Sequence, residues 1–248
     1  MIEVVVFAVG LIIGSFSNVV IYRLPRGKSI VRPASRCRSC DTFIRPWDNI
    51  PLLSYVLLKG RCRFCKEPIS LRYPAVEALS GLLYVLLYLR FGVTTTFAAY
   101  ALLTSALVIV AFIDFDHKII PNIMTLPGMA VGLSLSMGVL PITPPASLIG
   151  LMSGGAIFYL IALISGGGMG GGDIKLIAMI GAFLGLPGVL FTIFVSALSG
   201  SVVGLVLMLL GRKGRKDRVP FGPFLAFGAI LYMLVGTDLI QWYLDLVA

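Results

Sequence analysis

The chain has 248 residues, 58% of them hydrophobic and 12% charged, with a mean hydropathy of +1.00. That balance excludes a soluble globular domain and indicates an integral membrane protein. The net charge of +9 does not point to nucleic acid, because the basic residues flank apolar runs as the positive-inside rule requires.

Apolar runs near the length that crosses about 30 Å of hydrocarbon as a helix recur along the chain and predict about eight spans. They cover residues 2–21, 75–89, 95–113, 123–139, 147–164, 174–186, 189–210 and 221–244. The fold class is therefore all-α, polytopic, with one polar interruption. The N-terminal run carries acidic Glu3 where a signal peptide has its basic region and lacks a clear cleavage site, so it reads as a retained span. Three parts follow: a first transmembrane helix (1–22), a polar insert (23–74) and a transmembrane core of about seven helices (75–248). With the N-terminus outside, every Lys and Arg except Arg90 falls on inward-facing segments, which places the insert in the cytoplasm.

All four cysteines lie in that insert, as "CRSC" (Cys37, Cys40) and "CRFC" (Cys62, Cys65). The spacing C-x2-C-x21-C-x2-C is close to a zinc ribbon, and two such knuckles complete a tetrahedral S4 site for structural zinc. Arg36, Arg38, Arg61 and Arg63 favour the thiolate form. Two disulfides or four free thiols are the alternative, the disulfides being disfavoured in a reducing compartment. A catalytic zinc is not indicated, because four cysteines close the coordination shell and leave no open position. A segment this short buries little core, so a metal staple is physically reasonable.

Outside the insert, the chain ends and the basic 211–218 stretch with its Asp217, the acids are Glu77, Asp114, Asp116 and Asp173. An ionisable group in a membrane span is costly and marks a functional candidate. Asp114 and Asp116 lie in "AFIDFDHKIIPN" at the inner end of the third span, and Asp173 lies in "SGGGMGGGDIKL" at the inner end of the sixth. Two carboxylates brought together there would share a proton, one acting as base on water and the other as acid toward a carbonyl, which is aspartic-protease chemistry. Asp173 alone also reads as an N-cap, and Asp114 or Asp116 as a hydrated helix-end charge beside Lys118. His117, the single histidine, reads as a headgroup-zone residue rather than a catalytic one, and one histidine cannot build both a Ser-His-Asp triad and a histidine-rich metal site. Gly166, Gly168 and Gly171 satisfy G-x-G-x-x-G, but no strand precedes them, so a nucleotide loop is not indicated. The glycines instead allow close backbone approach by an extended substrate. A proton-coupled transporter and a non-catalytic scaffold are the rival readings of the same acids and cysteines.

Several motifs together resemble one family. "GSFSNVVIYRLP" (14–25), "DNIPLLSYVLLKGRCRFC" (48–65), "ISLRYPAVE" (69–77), "DFDHKIIPN", "GMGGGDIKL" and "PFGPFLAFG" (220–228) occur in the order found in type IV prepilin peptidases, membrane aspartyl proteases of the G-x-G-D class. The resemblance implies an aspartic endopeptidase of the bacterial inner membrane. Such an enzyme cuts prepilins or type II secretion pseudopilins on the cytoplasmic side, after the glycine of a short basic leader. It implies methylation of the new N-terminus with S-adenosylmethionine as well. Counting back seven residues from Pro121, as in the family, assigns the first catalytic acid to Asp114. The G-x-G-D motif assigns the second to Asp173, mounted on Gly170 and Gly172. Asp116 and Lys175 are left as supporting side chains. Homologues often carry an acid where this chain has Gly167, a departure that bears on methylation and substrate preference. Asp41, Asp48 and Glu67 are candidates to hold the basic leader, and the bilayer is the other partner.

Overall fold

A computed structural model describes residues 1–166, 169–210 and 219–247. Gly167, Gly168 and the basic residues of 211–218 lie outside them, and so does any structural account of the Gly167 departure. Among the described residues there is no sheet; six helices are long and apolar enough to cross a membrane. The chain divides into two compact units, Met1–Gly92 and Val93–Ala248.

The first unit is built on α1 (Ile2–Arg23) and α3 (Arg72–Phe91), joined by the insert with its short α2 (Leu53–Leu57). Where these helices pack, small residues bring the backbones together, as is usual where lipid gives no hydrophobic drive to associate. A Cβ on Gly10 would lie 2.7 Å from the Gly81 Cα, and one on Gly14 would lie 2.8 Å from the Glu77 Cα. Asn18 donates its amide to the Tyr73 carbonyl at 3.0 Å, so a buried polar side chain inside the span is satisfied.

The second unit starts with α4 (Thr95–His117), whose N-terminus is capped by the Thr94 hydroxyl accepting the Phe97 N–H at 3.1 Å. α5 (Asn122–Leu135) and α6 (Pro144–Ile164) follow, the latter capped by Thr143. Then come α7 (Gly171–Leu209), α8 (Gly222–Leu231), a π-helical turn (Tyr232–Gly236) and α9 (Thr237–Val247). α7 is central: Leu176, Ile177, Met179, Ile180 and Leu184 are fully buried. It packs on α6 through the Gly150 and Gly181 backbones and through Ser147, whose hydroxyl donates to the Ala182 carbonyl. On α5 it meets Gly128 with Met179 and Gly132 with Phe183. On α8 it meets Gly228 with Thr192, and the Ser196 hydroxyl donates to the Phe224 carbonyl at 3.0 Å.

Three of the expected spans differ in outline. The run 123–139 is helical only over the 14 residues of α5, a shorter apolar helix. The runs 174–186 and 189–210 form one 39-residue element, interrupted at Gly185, where φ is 68° and ψ is −175°. A left-handed φ is open to glycine without strain, and Pro187 removes a backbone donor two residues later. The chain bends there while staying apolar.

Candidate active site and metal centre

Asp114 stands one turn from the C-terminal end of α4, where the helix closes on Lys118 in the left-handed conformation (φ 56°) with its N–H on the Asp114 carbonyl at 2.8 Å. Its side chain is 5% exposed, and Oδ2 accepts the backbone N–H of Gly222 at 2.8 Å. Gly222 is the first residue of α8, so Asp114 satisfies one of that helix's otherwise unpaired donors. The approach needs glycine: a Cβ there would lie 2.8 Å from Oδ2 and 3.1 Å from the Asp114 Cβ. Phe221, its ring tilted against Phe158 at 6.1 Å and Phe224 at 6.2 Å, fixes the turn before it.

Asp173 occupies the first turn of α7. It is not the N-cap that its position in the sequence also allows. Gly170 is the N-cap, and Asp173 is the third helical residue, its N–H on the Gly170 carbonyl at 3.0 Å. Its half-buried carboxylate lies beside Gly170 and within electrostatic reach of Asp114. Its two glycine supports act differently. A Cβ on Gly170 would press on the Asp173 carboxylate at 3.1 Å, and one on Gly172 would run into the Ile120 side chain at 2.8 Å. Gly172 thus lets the start of α7 lie against the α4–α5 turn. The Lys175 ammonium ties the same two segments by donating to Asn122 Oδ1 at 2.9 Å. Asp116 is exposed, in contrast to Asp114 two residues before it. Sequence reasoning left Gly222 and Asn122 without a role. Gly222 contributes a backbone N–H, which no residue-type pattern advertises, and Asn122 acts through Lys175.

In the first unit the two cysteine knuckles are copies of one fold. The Cys37 N–H bonds the Thr42 carbonyl at 3.0 Å and the Cys62 N–H the Glu67 carbonyl at 2.9 Å, each with one antiparallel bridge (Arg36 with Phe43, Arg61 with Pro68). Asp41 and Lys66, each just after the second cysteine of its knuckle, both turn through positive φ (52° and 62°). The four sulfurs lie within 4.8 Å of one another, with Cys37 and Cys65 at 3.7 Å, and none is in a disulfide. Tetrahedral Zn–S bonds of about 2.3 Å place sulfurs about 3.8 Å apart, so the donor set fits a metal ion of that kind. The Thr42 hydroxyl holds Cys40 down to about 6. Cys65 takes the Glu67 backbone N–H, which lowers it, but desolvation and the sulfurs of Cys62, Cys40 and Cys37 push it up to about 12. A bound cation removes that mutual repulsion. Arg63 grips Asp48 through three contacts of 2.6–3.1 Å, leaving the carboxylate 6% exposed and well below its usual range. Asp48 is thereby withdrawn from the acids proposed to hold a basic leader. Asp41 pairs with Arg36 at 2.7 Å but stays exposed.

These features define a polytopic helical membrane protein that carries two acids at helix ends in one unit and a four-cysteine cluster able to hold a metal ion in the other. The chain belongs to the type IV leader peptidase family. The family model of that description matches residues 101–205, and that of the bacterial peptidase A24 N-terminal domain matches residues 8–91. Its relatives include proteins named prepilin leader peptidase/N-methyltransferase. The Myxococcus xanthus protein is 42% identical over 85% of this chain and 65% of its own length. The Pseudomonas aeruginosa protein is 35% identical over 95% and 91%, and the Bacillus subtilis protein 36% identical over 98% of both. No solved structure matches the chain.

Proposed function

We propose that this protein is an aspartic endopeptidase that removes the basic leader from prepilins or type II secretion pseudopilins and then N-methylates the new N-terminus. The observation that carries the reading is the pairing of a buried Asp114, held by the Gly222 N–H, with Asp173 in the first turn of α7, within its electrostatic reach. In this reading the acids share a proton. The ionised one draws a proton from a water molecule as that water attacks the scissile carbonyl, and the other protonates the carbonyl oxygen. The tetrahedral intermediate collapses with transfer of a proton to the leaving amine, and no covalent enzyme adduct forms. Gly171, where an added Cβ meets nothing within 4 Å, leaves room for the substrate backbone, and Gly170 keeps the approach to the Asp173 carboxylate clear, whereas the space at Gly172 is taken by Ile120. The substrate's apolar helix enters from the bilayer while its leader stays at the surface, with the site and the insert toward the cytoplasm of a bacterial inner membrane.

Zinc, held by Cys37, Cys40, Cys62 and Cys65, is structural in this reading, since the S4 set closes its coordination shell. S-adenosylmethionine would supply the methyl group. Two surface grooves of the insert-bearing unit include no carboxylate to take ribose hydroxyls, so they do not fit that donor. A transporter reading finds less support, because the two acids stand at helix ends rather than in mid-span.

The test is incubation of the purified chain with a prepilin in detergent, read by mass spectrometry. A product shortened by the leader, with a methyl group added when S-adenosylmethionine is supplied, is expected. An unshortened prepilin overturns the reading.

A further inference from the structure

The insert of the first unit departs from a simple solvent-exposed metal knuckle at α2. The Leu52 N–H donates to Glu77 Oε2 at 2.9 Å. Glu77 is the sixth residue of a membrane span that begins at Arg72, so at 1.5 Å per residue it lies roughly 8 Å along the span from its start. Leu52, held at φ 58°, and the helix it opens are therefore drawn down beside the span rather than standing off in water. The face of α2 turned away from the unit is apolar: Leu53 is 52% exposed, and Val56 and Leu57 are each 70% exposed. The opposite face is pinned, with the Ser54 hydroxyl on the Trp47 carbonyl at 2.9 Å and the Tyr55 hydroxyl on the Ile69 carbonyl at 3.3 Å.

Charge completes the pattern. An open groove of about 600 Å³ begins at Leu57 and Leu58 and continues past Lys59, Arg61, Arg63 and Lys66. Arg63 is committed to Asp48, which leaves three cations facing it. A second tie sets the level of the insert: the Arg38 guanidinium lies over the Tyr22 ring at 3.8 Å and near Tyr73 at 5.4 Å, at the ends of α1 and α3. Aromatic rings at those ends mark the headgroup zone.

We propose that α2 is a membrane-inserted wedge. Leu53, Val56 and Leu57 bury in the boundary between headgroups and acyl chains, and the adjoining basic groove takes the phosphate of an anionic phospholipid. An apolar face beside cations at this depth matches an interfacial helix, which sinks about 5–10 Å below the headgroups. Coulombic attraction to anionic lipid adds to apolar burial. This goes beyond the peptidase reading and does not depend on it.

The test uses the full chain with Trp47→Phe and Trp242→Phe, which remove both native tryptophans, and Leu57→Trp as a single reporter on the exposed face. The protein is reconstituted in nanodiscs of phosphatidylglycerol or phosphatidylcholine, with bromine placed either near the glycerol or near the methyl end of the acyl chains. Bromine near the glycerol is expected to lower emission about twofold and to act more strongly than the deeper label, with iodide in the buffer ineffective. Quenching is expected to be greater in phosphatidylglycerol, with that excess lost at high salt and in Lys59→Glu. Ready quenching by iodide with none by bromolipid overturns the proposal. So does protection from both quenchers combined with cross-linking of this face to a second copy or to a substrate protein. Leader cleavage by the same sample, read by product mass, stands or falls separately.

Discussion

Gly222 and Asp114, 108 residues apart in sequence, meet at 2.8 Å, with a helix-start N–H donating to a buried carboxylate. That contact joins α8 to α4 at the level where α7 begins to carry its own acid. It also makes the roles of the three aspartates separable. Asp114→Asn and Asp173→Asn are each expected to lower prepilin cleavage by about 10²–10⁴-fold, the usual worth of a general acid or base. Asp116→Asn, altering an exposed side chain, is expected to retain most activity. Initial rates in detergent, with folding checked by gel filtration, decide the matter, and loss of cleavage in Asp116→Asn alone would move the assignment.

Gly222→Ala tests the same contact from the other side. Its methyl group has no room beside Asp114 Oδ2, so the carboxylate or the α8 start must shift. A displacement of this size is expected to cost about 10–100-fold in kcat, by misplacing a catalytic group, with KM changed little. An equal loss in Gly204→Ala, where an added Cβ meets nothing within 4 Å, would show that glycine loss in general and not this contact is responsible.

The parts legible in the sequence were those written in side-chain type and spacing. Two C-x2-C pairs specify a four-sulfur cluster, and a lone acid after glycines in an apolar chain marks Asp173. Distinguishing an N-cap from the third helical residue required backbone geometry, because Gly170 caps α7 with no side chain at all. Gly222 was hidden for the same reason. Hydropathy gave the apolar runs but not their joints. "GLPG" at 185–188 turns the helix without a polar residue, so two runs and one bent element look alike along the chain. The depth of α2 was hidden too, since it depends on one hydrogen bond between residues 25 apart.

Metal removal separates structure from chemistry. The purified chain is expected to hold one zinc per molecule by elemental analysis, and Cys62→Ser to lose it. Zinc binding is worth roughly 10 kcal/mol in small peptides and acts there as folding free energy, so a chelator is expected to expose the insert to protease first. Cleavage sites within residues 23–74 that appear on chelation and vanish when zinc is restored would confirm a structural ion. An insert equally resistant with and without the metal would refute it.

The Arg63–Asp48 pair gives a pH prediction with a defined sign. Asp48 is held below its usual value, first by the Arg63 hydrogen bonds and further by the positive charges of Arg63 and Arg45, against a desolvation cost. A carboxyl whose folded pKa is depressed adds stability that is fully present above its unfolded value of about 3.9. That stability is lost as pH falls through the lower, folded value. Wild type is therefore expected to resist proteolysis of the insert better than Arg63→Ala at pH 6, with the gap closing toward pH 3. Arg63 also favours the neighbouring Cys62 thiolate, so Asp48→Asn, which removes the charge pair and leaves Arg63 in place, is compared in parallel and is expected to show the same gap closing toward pH 3. A gap that persists undiminished at pH 3 would show that Arg63 acts by packing its stem rather than by holding the Asp48 charge.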